Sequence, residues 1–356
     1  MKWLNWFLVL VPIALFLEFS HTGGTSVLFI VSALALIPLA AVLGHATEEV
    51  AEFTGPKIGG LLNATLGNAA ELIITIVALR EGLVVLVKAS IAGSIIGNLL
   101  VVLGPSVLLG GLKHGDQRFD ARIASVNATI MMLAVVAMMI PAIFELGSDE
   151  HHPSSDDIIL LSDGTAVVLI VLYALYLLYT IFMTHSSTER VVTEEEPAHA
   201  PDRKRLPLAL GILLGSTIAI VFMSEILVGA LEPTAEAWGM SELFVGVMLV
   251  PLVGNVAEHL VAVQVAVRNK MDLSIGIAVG SGLQIALFVA PVLVLVSQFV
   301  GPEPMTLVFS NFELAALAGA VLITVLISVD GKTNWLEGAQ LLGLYFILGL
   351  AFFVVP

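Results

Sequence analysis

An asparagine followed three residues later by a glutamate occurs twice in this chain within similar apolar runs, as Gly67-Asn68-Ala69-Ala70-Glu71 and Gly254-Asn255-Val256-Ala257-Glu258. Residues three apart share one face of a helix, so Asn68 and Glu71 point the same way, and Thr75 continues that face one turn on. Asn255 and Glu258 repeat the pattern. A charged carboxylate at the centre of a membrane-spanning helix costs about 2.5–3.5 kcal/mol on insertion scales. One such residue could be satisfied by a nearby amide and serve packing alone; two at matching positions read as a site. The next apolar run of each half offers partners. Ser90, Ser94 and Asn98 are spaced four apart with Gly93 and Gly97 beside them, and the second copy reads Gly280-Ser281-Gly282-Leu283-Gln284. Glycine there lets another backbone come close, although small residues and hydroxyls are also common at plain helix contacts in lipid. The candidate ligands are therefore Glu71, Glu258, Asn68, Asn255, Ser94, Ser281, Asn98 and Gln284, all offering oxygen. Oxygen ligands suit hard cations, and calcium accepts irregular geometry where magnesium demands an octahedron. Two carboxylates balance one divalent charge.

Four further residues are candidates for proton handling or gating. His259 follows Glu258 and so points about 100° away around a helix, which suits proton handling better than direct ligation. Glu48 and Glu49, in His45-Ala46-Thr47-Glu48-Glu49, either reach the headgroups at a helix end or act as accessory groups. Glu225 lies between Met223-Ser224 and Ile226-Leu227, an apolar setting that makes it a candidate gate carboxylate.

The elements that position these residues must sit in lipid. Of 356 residues, 58% are hydrophobic and 12% charged, and the mean hydropathy is +1.03, more apolar than a soluble domain can hide from water. Long apolar runs predict an all-α polytopic membrane protein of about eleven helices, near 3–20, 26–53, 56–80, 83–112, 121–145, 162–184, 207–231, 242–268, 272–299, 309–329 and 335–355. The first run follows Lys2 like a signal peptide, but Ser20-His21-Thr22-Gly23-Gly24 lacks a small-x-small cleavage site, so it reads as a retained helix. There is no cysteine, which excludes thiol chemistry and a disulfide framework, and the net charge of -15 argues against nucleic acid as a partner. No His-Glu-x-x-His zinc motif occurs, so an intramembrane enzyme is disfavoured. No cofactor is expected, and the cation is substrate.

Assigning each Lys and Arg to a helix end puts all 14 except Arg80 and Lys88 on one side, which is cytoplasmic by the positive-inside rule. The N-terminus is then inside and the C-terminus outside. A shift of 187 residues superposes Gly59 on Gly246, Gly67-Asn68 on Gly254-Asn255, Ala70-Glu71 on Ala257-Glu258 and Gly93-Ser94 on Gly280-Ser281. This internal repeat predicts an extra N-terminal helix at 1–20, a first five-helix repeat at 26–184, a cytoplasmic acidic linker at 185–206 and a second repeat at 207–356. Five is odd, so the second copy enters from the opposite side. Inverted repeats of this kind build secondary transporters whose site lies near the bilayer midplane.

Gly67-Asn68-Ala69-Ala70-Glu71-Leu72-Ile73 and Gly254-Asn255-Val256-Ala257-Glu258-His259 resemble the paired signature motifs of the cation/proton exchangers, the calcium/proton branch of the cation/calcium exchanger superfamily. Supporting resemblances run through Ile58 to Thr65 and Asp330 to Gly338, and the match spans nearly the whole chain. It departs at Val256, where small residues are usual, and in a short acidic linker. The resemblance implies eleven helices, an acidic segment between the sixth and seventh, and calcium bound by the glutamates matching Glu71 and Glu258.

The expected activity is exchange of calcium for protons by alternating access in the cell membrane, the two glutamates binding either calcium or protons. A sodium/calcium exchanger of the same superfamily is the alternative; that branch has a richer Thr/Ser lining for extra monovalent sites. A cation channel is disfavoured by the two-fold repeat, since acidic pores more often use rings of charge from several subunits.

Overall fold

The computed structural model describes residues 4–147, 153–187 and 205–354. The described residues are almost entirely helical. A 3₁₀ turn over Leu4–Val9 leads into α1 (Leu10–Ser20), followed by α2 (Thr25–Leu66), α3 (Ala69–Arg80), α4 (Val84–Gly97), α5 (Leu103–His114), α6 (Ala121–Leu146) and α7 (Ser155–Ser187). After the linker, of which 188–204 lie outside the described residues, come α8 (Leu206–Trp238), α9 (Glu242–Phe244), α10 (Val250–Gly254), α11 (Val256–Val267), α12 (Met271–Gln284), α13 (Ala290–Ser297), α14 (Asn311–Ser328) and α15 (Trp335–Val354). Wide π turns at Asn98–Val102, Val245–Leu249 and Ile285–Val289 join α4 to α5, α9 to α10 and α12 to α13.

Eight helical spans among the described residues are long and apolar enough to cross a membrane, and a ninth forms if Glu242–Gly254 and Glu258–Val267, bent by 61°, count as one. The predicted count of eleven adds Trp6–Ser20, which is short, and the stretch 56–80. That stretch is not a separate helix from its first residue. The backbone stays helical through Gly55-Pro56, and the interruption comes at Gly67-Asn68, with Asn68 at φ -101°, ψ 23°. Asn255 breaks the second half in the same conformation, φ -93°, ψ 7°. Both lie in the sparsely allowed bridge region between helix and strand.

The 187-residue offset found in the sequence extends to the backbone: α3 maps onto α11, α4 onto α12, and the π turn at Asn98–Val102 onto that at Ile285–Val289, residue for residue. The spans that contain α4 and α12 are the most enclosed, with 72% and 67% of an 18-residue apolar stretch buried, against 22% for α8 and 17% for α15. They cross the molecule's centre around Ile95, Ile96, Leu99 and Leu283. α4 packs tightly against the π turn Val245–Leu249, since a Cβ at Gly93 would run into the Val247 carbonyl and one at Gly246 would meet Ala89 Cβ at 2.5 Å. Exposed Phe16, Leu326, Phe346 and Leu350 belong to the outer surface, the apolar belt expected to face lipid.

Local signals set the ends. Asp120 caps α6 by accepting from the Arg122 and Ile123 amides, and Ser310 with Glu313 forms a capping box on α14. A two-stranded antiparallel ribbon, β1 (Gln117–Arg118) with β2 (Lys332–Thr333), is absent from the all-helical expectation. It joins two loops of one face, and Gln117 Nε2 reinforces it by donating to Ala266 O at 2.9 Å and Asn269 Oδ1 at 3.0 Å.

Candidate cation site

Glu71 opens α3 and Glu258 opens α11, each in the first turn after its break. A helix start leaves backbone N–H groups without intrahelical partners, a favourable setting for an anionic side chain. The two breaks meet. Gly254, ending α10, lies against the Glu71 carboxylate so closely that an added Cβ would stand 3.0 Å from Oε1. Both glutamates line one cavity of about 340 Å³, with Gly67, Ala70 and Gly254 of the breaks, Ser281 and Gln284 of α12, and His45 and Glu48 of α2.

A chain of hydrogen bonds crosses behind the carboxylates. Asn68 Nδ2 donates to Gln284 Oε1, Ser281 Oγ donates to Asn68 Oδ1 at 3.3 Å, and Asn98 Nδ2 donates to Ser281 Oγ at 3.1 Å. The first break is thereby tied to α12 and to the π turn after α4. The second break lacks these partners, because Gly97 and Ile285 stand where the first has Gln284 and Asn98. Asn255 is buried with neither amide atom hydrogen-bonded, and Glu258 Oε2 and Asn98 Oδ1 are likewise unpartnered. Leaving such groups unsatisfied costs about 1–3 kcal/mol each. Oxygen atoms held this way beside two carboxylates are suited to a hard cation.

The predicted residues therefore divide. Glu71, Glu258, Ser281 and Gln284 face the cavity, and Asn68, Asn98 and Asn255 lie buried beside the breaks or the network. Ser94 is buried but does not line the cavity. Thr75 donates to the Glu71 carbonyl at 2.7 Å, so its hydroxyl serves its own helix. His259 Nδ1 contacts the Asn255 carbonyl, while Nε2 is buried and unpartnered. Glu48 stands at the cavity mouth, 3.4 Å from His45 Nδ1, whereas Glu49 is exposed and apart from it. Glu225 is also outside the cavity, pairing with Arg80 at 3.5 Å. Sequence reasoning missed Ala40, Ala41 and Gly44 of α2 and Gly276 of α12, which form the cavity walls. Their signal is the spacing of small residues, Ala40 with Gly44 and Gly276 with Gly280, four apart. Among the described residues no three His, Asp or Glu side chains cluster as a metal site, so the site rests on two carboxylates and neutral oxygens.

A family profile described as sodium/calcium exchanger protein matches residues 25–182 and 208–354, which include both breaks and both glutamates. The chain belongs to the sodium/calcium exchanger protein family. Within this exchanger family it is 48% identical over 361 residues to a Ca(2+)/H(+) antiporter of Aphanothece halophytica, covering 98% of this chain and 95% of that one. It is 44% identical over 338 residues to the Ca(2+)/H(+) antiporter ChaA of Bacillus subtilis, covering 93% of each. The solved structure of native YfkE superposes with a TM-score of 0.83 at 41% identity, covering 98% of this chain and 100% of that one. The exchanger is thus a polytopic helical membrane protein like these relatives.

Proposed function

We propose that this protein is a secondary transporter that exchanges calcium for protons, with Glu71 and Glu258 binding either ion. The observation that carries the reading is the meeting of the two glutamates at facing helix breaks in one cavity, with Glu258 Oε2 unpartnered. The naming of relatives at 44–48% identity as Ca(2+)/H(+) antiporters supports it over the sodium/calcium alternative. A carboxylate must give up its proton to hold a cation, so calcium and protons exclude one another, and this exclusion is the coupling. Two protons exchanged per calcium ion leave the charge of the site unchanged.

The chain crosses the membrane eleven times, as an N-terminal helix followed by two inverted five-helix repeats separated by the acidic linker at 185–206. The matched helix boundaries of the two halves support this division. With the N-terminus in the cytoplasm, α2 runs inward and His45 and Glu48 lie toward its inner end, so the cavity opens to the cytoplasm. The proton gradient across the cell membrane then drives calcium outward. The Asn98–Ser281–Asn68–Gln284 chain orients the site, and Glu258, which lines the cavity with Oε2 unpartnered, is available to the ion.

The test is transport in reconstituted vesicles, following calcium and proton fluxes together and then replacing potassium with sodium. Calcium uptake matched by proton release, and unaffected by sodium, is expected. Strict sodium dependence without proton flux overturns the assignment.

A further inference from the structure

The cavity lies between α2 and α11, which touch only sparsely, whereas α8 packs closely along α3. Under the 187-residue offset these are equivalent seams: α2 maps onto α8 and α11 onto α3. One seam is open and its copy is shut. The offset therefore converts the cavity lining into a second set of residues. Ala41, Leu43 and Gly44 become Val228, Ala230 and Leu231; Val261 becomes Ile74; Ile277 and Ser281 become Ser90 and Ser94. All six are buried. His45 at the open mouth becomes Glu232, which is exposed.

The two mouths lie at opposite ends of the molecule. Phe29, near the start of α2, touches Trp238, the last residue of α8, with ring centroids 6.0 Å apart, so the two helices are antiparallel. Along α2, Glu48 is about 28 Å from Phe29, while Glu232 is about 9 Å from Trp238. Across the shut seam, Arg80 of α3 pairs with Glu225 of α8 at 3.5 Å. No equivalent pair spans the open seam, since the offset puts Val267 and Pro38 at those positions.

We propose that the α3–α8 seam is the closed outer route of the transporter, lined by Ile74, Ser90, Ser94, Val228, Ala230 and Leu231 and ending at Glu232, and that Arg80–Glu225 latches it. The proposal rests on the alternating-access reading. It accounts for Ser94, which matches Ser281 yet does not line the present cavity: it faces the route that is shut. When α8 leaves α3, the ion pair breaks and the buried residues become the wall of the outer cavity.

The chain contains no cysteine, so any introduced cysteine is its only thiol. Ala230→Cys and Leu231→Cys report on the outer route and Ala41→Cys on the inner cavity, each in the full-length protein, oriented in vesicles, with a membrane-impermeant maleimide on one side. The outer reporters are expected to react slowly from outside and Ala41→Cys quickly from inside. Adding Glu225→Gln should raise the outer rates and lower the inner rate so that their ratio shifts by up to about fivefold, the effect of losing one partly exposed ion pair. If both outer reporters stay inert from outside in protein that still exchanges calcium for protons, the route is overturned while the antiport reading stands. If the reporters respond reciprocally in protein without calcium/proton exchange, the route stands and the antiport reading falls. Inner and outer rates that move together with Glu225→Gln overturn the latch.

Discussion

Gly254→Ala tests whether the second helix break positions Glu71. The added Cβ would lie 3.0 Å from Glu71 Oε1, 3.4 Å from Cγ and 3.5 Å from Cδ. To regain ordinary van der Waals separation the carboxylate must retreat by roughly 0.4 Å. Calcium–oxygen distances span only about 2.3–2.6 Å, so the retreat exceeds the whole tolerance of the bond. Sharing the displacement between ion and ligand leaves an expected loss of about 1.4 kcal/mol, a tenfold fall in calcium affinity. Folding should not suffer, because alanine is a better helix former than glycine by up to about 1 kcal/mol. Gly280→Ala is the control: Gly280 lines the same cavity, but nothing lies within 4 Å of its added Cβ. Calorimetric titration of the purified protein with calcium at one fixed pH should put Gly280→Ala within about twofold of the parent. Equal affinities for the two variants would refute the idea that Gly254 sets the position of Glu71.

Glu71→Gln and Glu258→Gln should each abolish calcium-driven proton movement in vesicles while leaving membrane insertion intact, since glutamine keeps an oxygen but neither charges nor titrates; near-parental exchange by either variant would contradict the two-carboxylate site. Apparent calcium affinity should fall as pH drops, because each ligand must lose its proton, with a limiting slope of log affinity against pH approaching about two. His259→Ala should leave that slope intact, and a calcium titration across a pH series checks both statements. For topology, Lys270→Cys should label only from the cytoplasmic side and Glu303→Cys only from outside; both residues are exposed in loops, and labelling from the same face would overturn the inverted repeat.

The pairing of Glu71 and Glu258, which line one cavity, was legible in the sequence because burying them in apolar runs is costly and their surroundings recur at a fixed offset. The helix break was misplaced for a local reason. Gly55-Pro56 has the composition of a helix end, yet the backbone continues through it, and the chain turns instead at Gly67-Asn68. Ser94 and Ser281 look equivalent in a repeat, and only the three-dimensional arrangement separates them, since a sequence with two-fold symmetry does not say which seam is open. The link from Asn68 to Gln284 joins residues 216 apart and leaves no local signal. Glu225 stands out in an apolar run, but its partner Arg80, 145 residues away, was not visible from spacing.

The close packing of α2 against α8 has a pharmacological consequence. A small molecule filling the 340 Å³ cavity would wedge α2 away from α11 and, through the shared α2–α8 face, press α8 onto α3. With the orientation proposed above, such a blocker acts from the cytoplasm alone yet arrests flux in both directions. If the α3–α8 seam is the outer route, raising calcium on the outside does not compete it away, because that route stays shut while the wedge is in place.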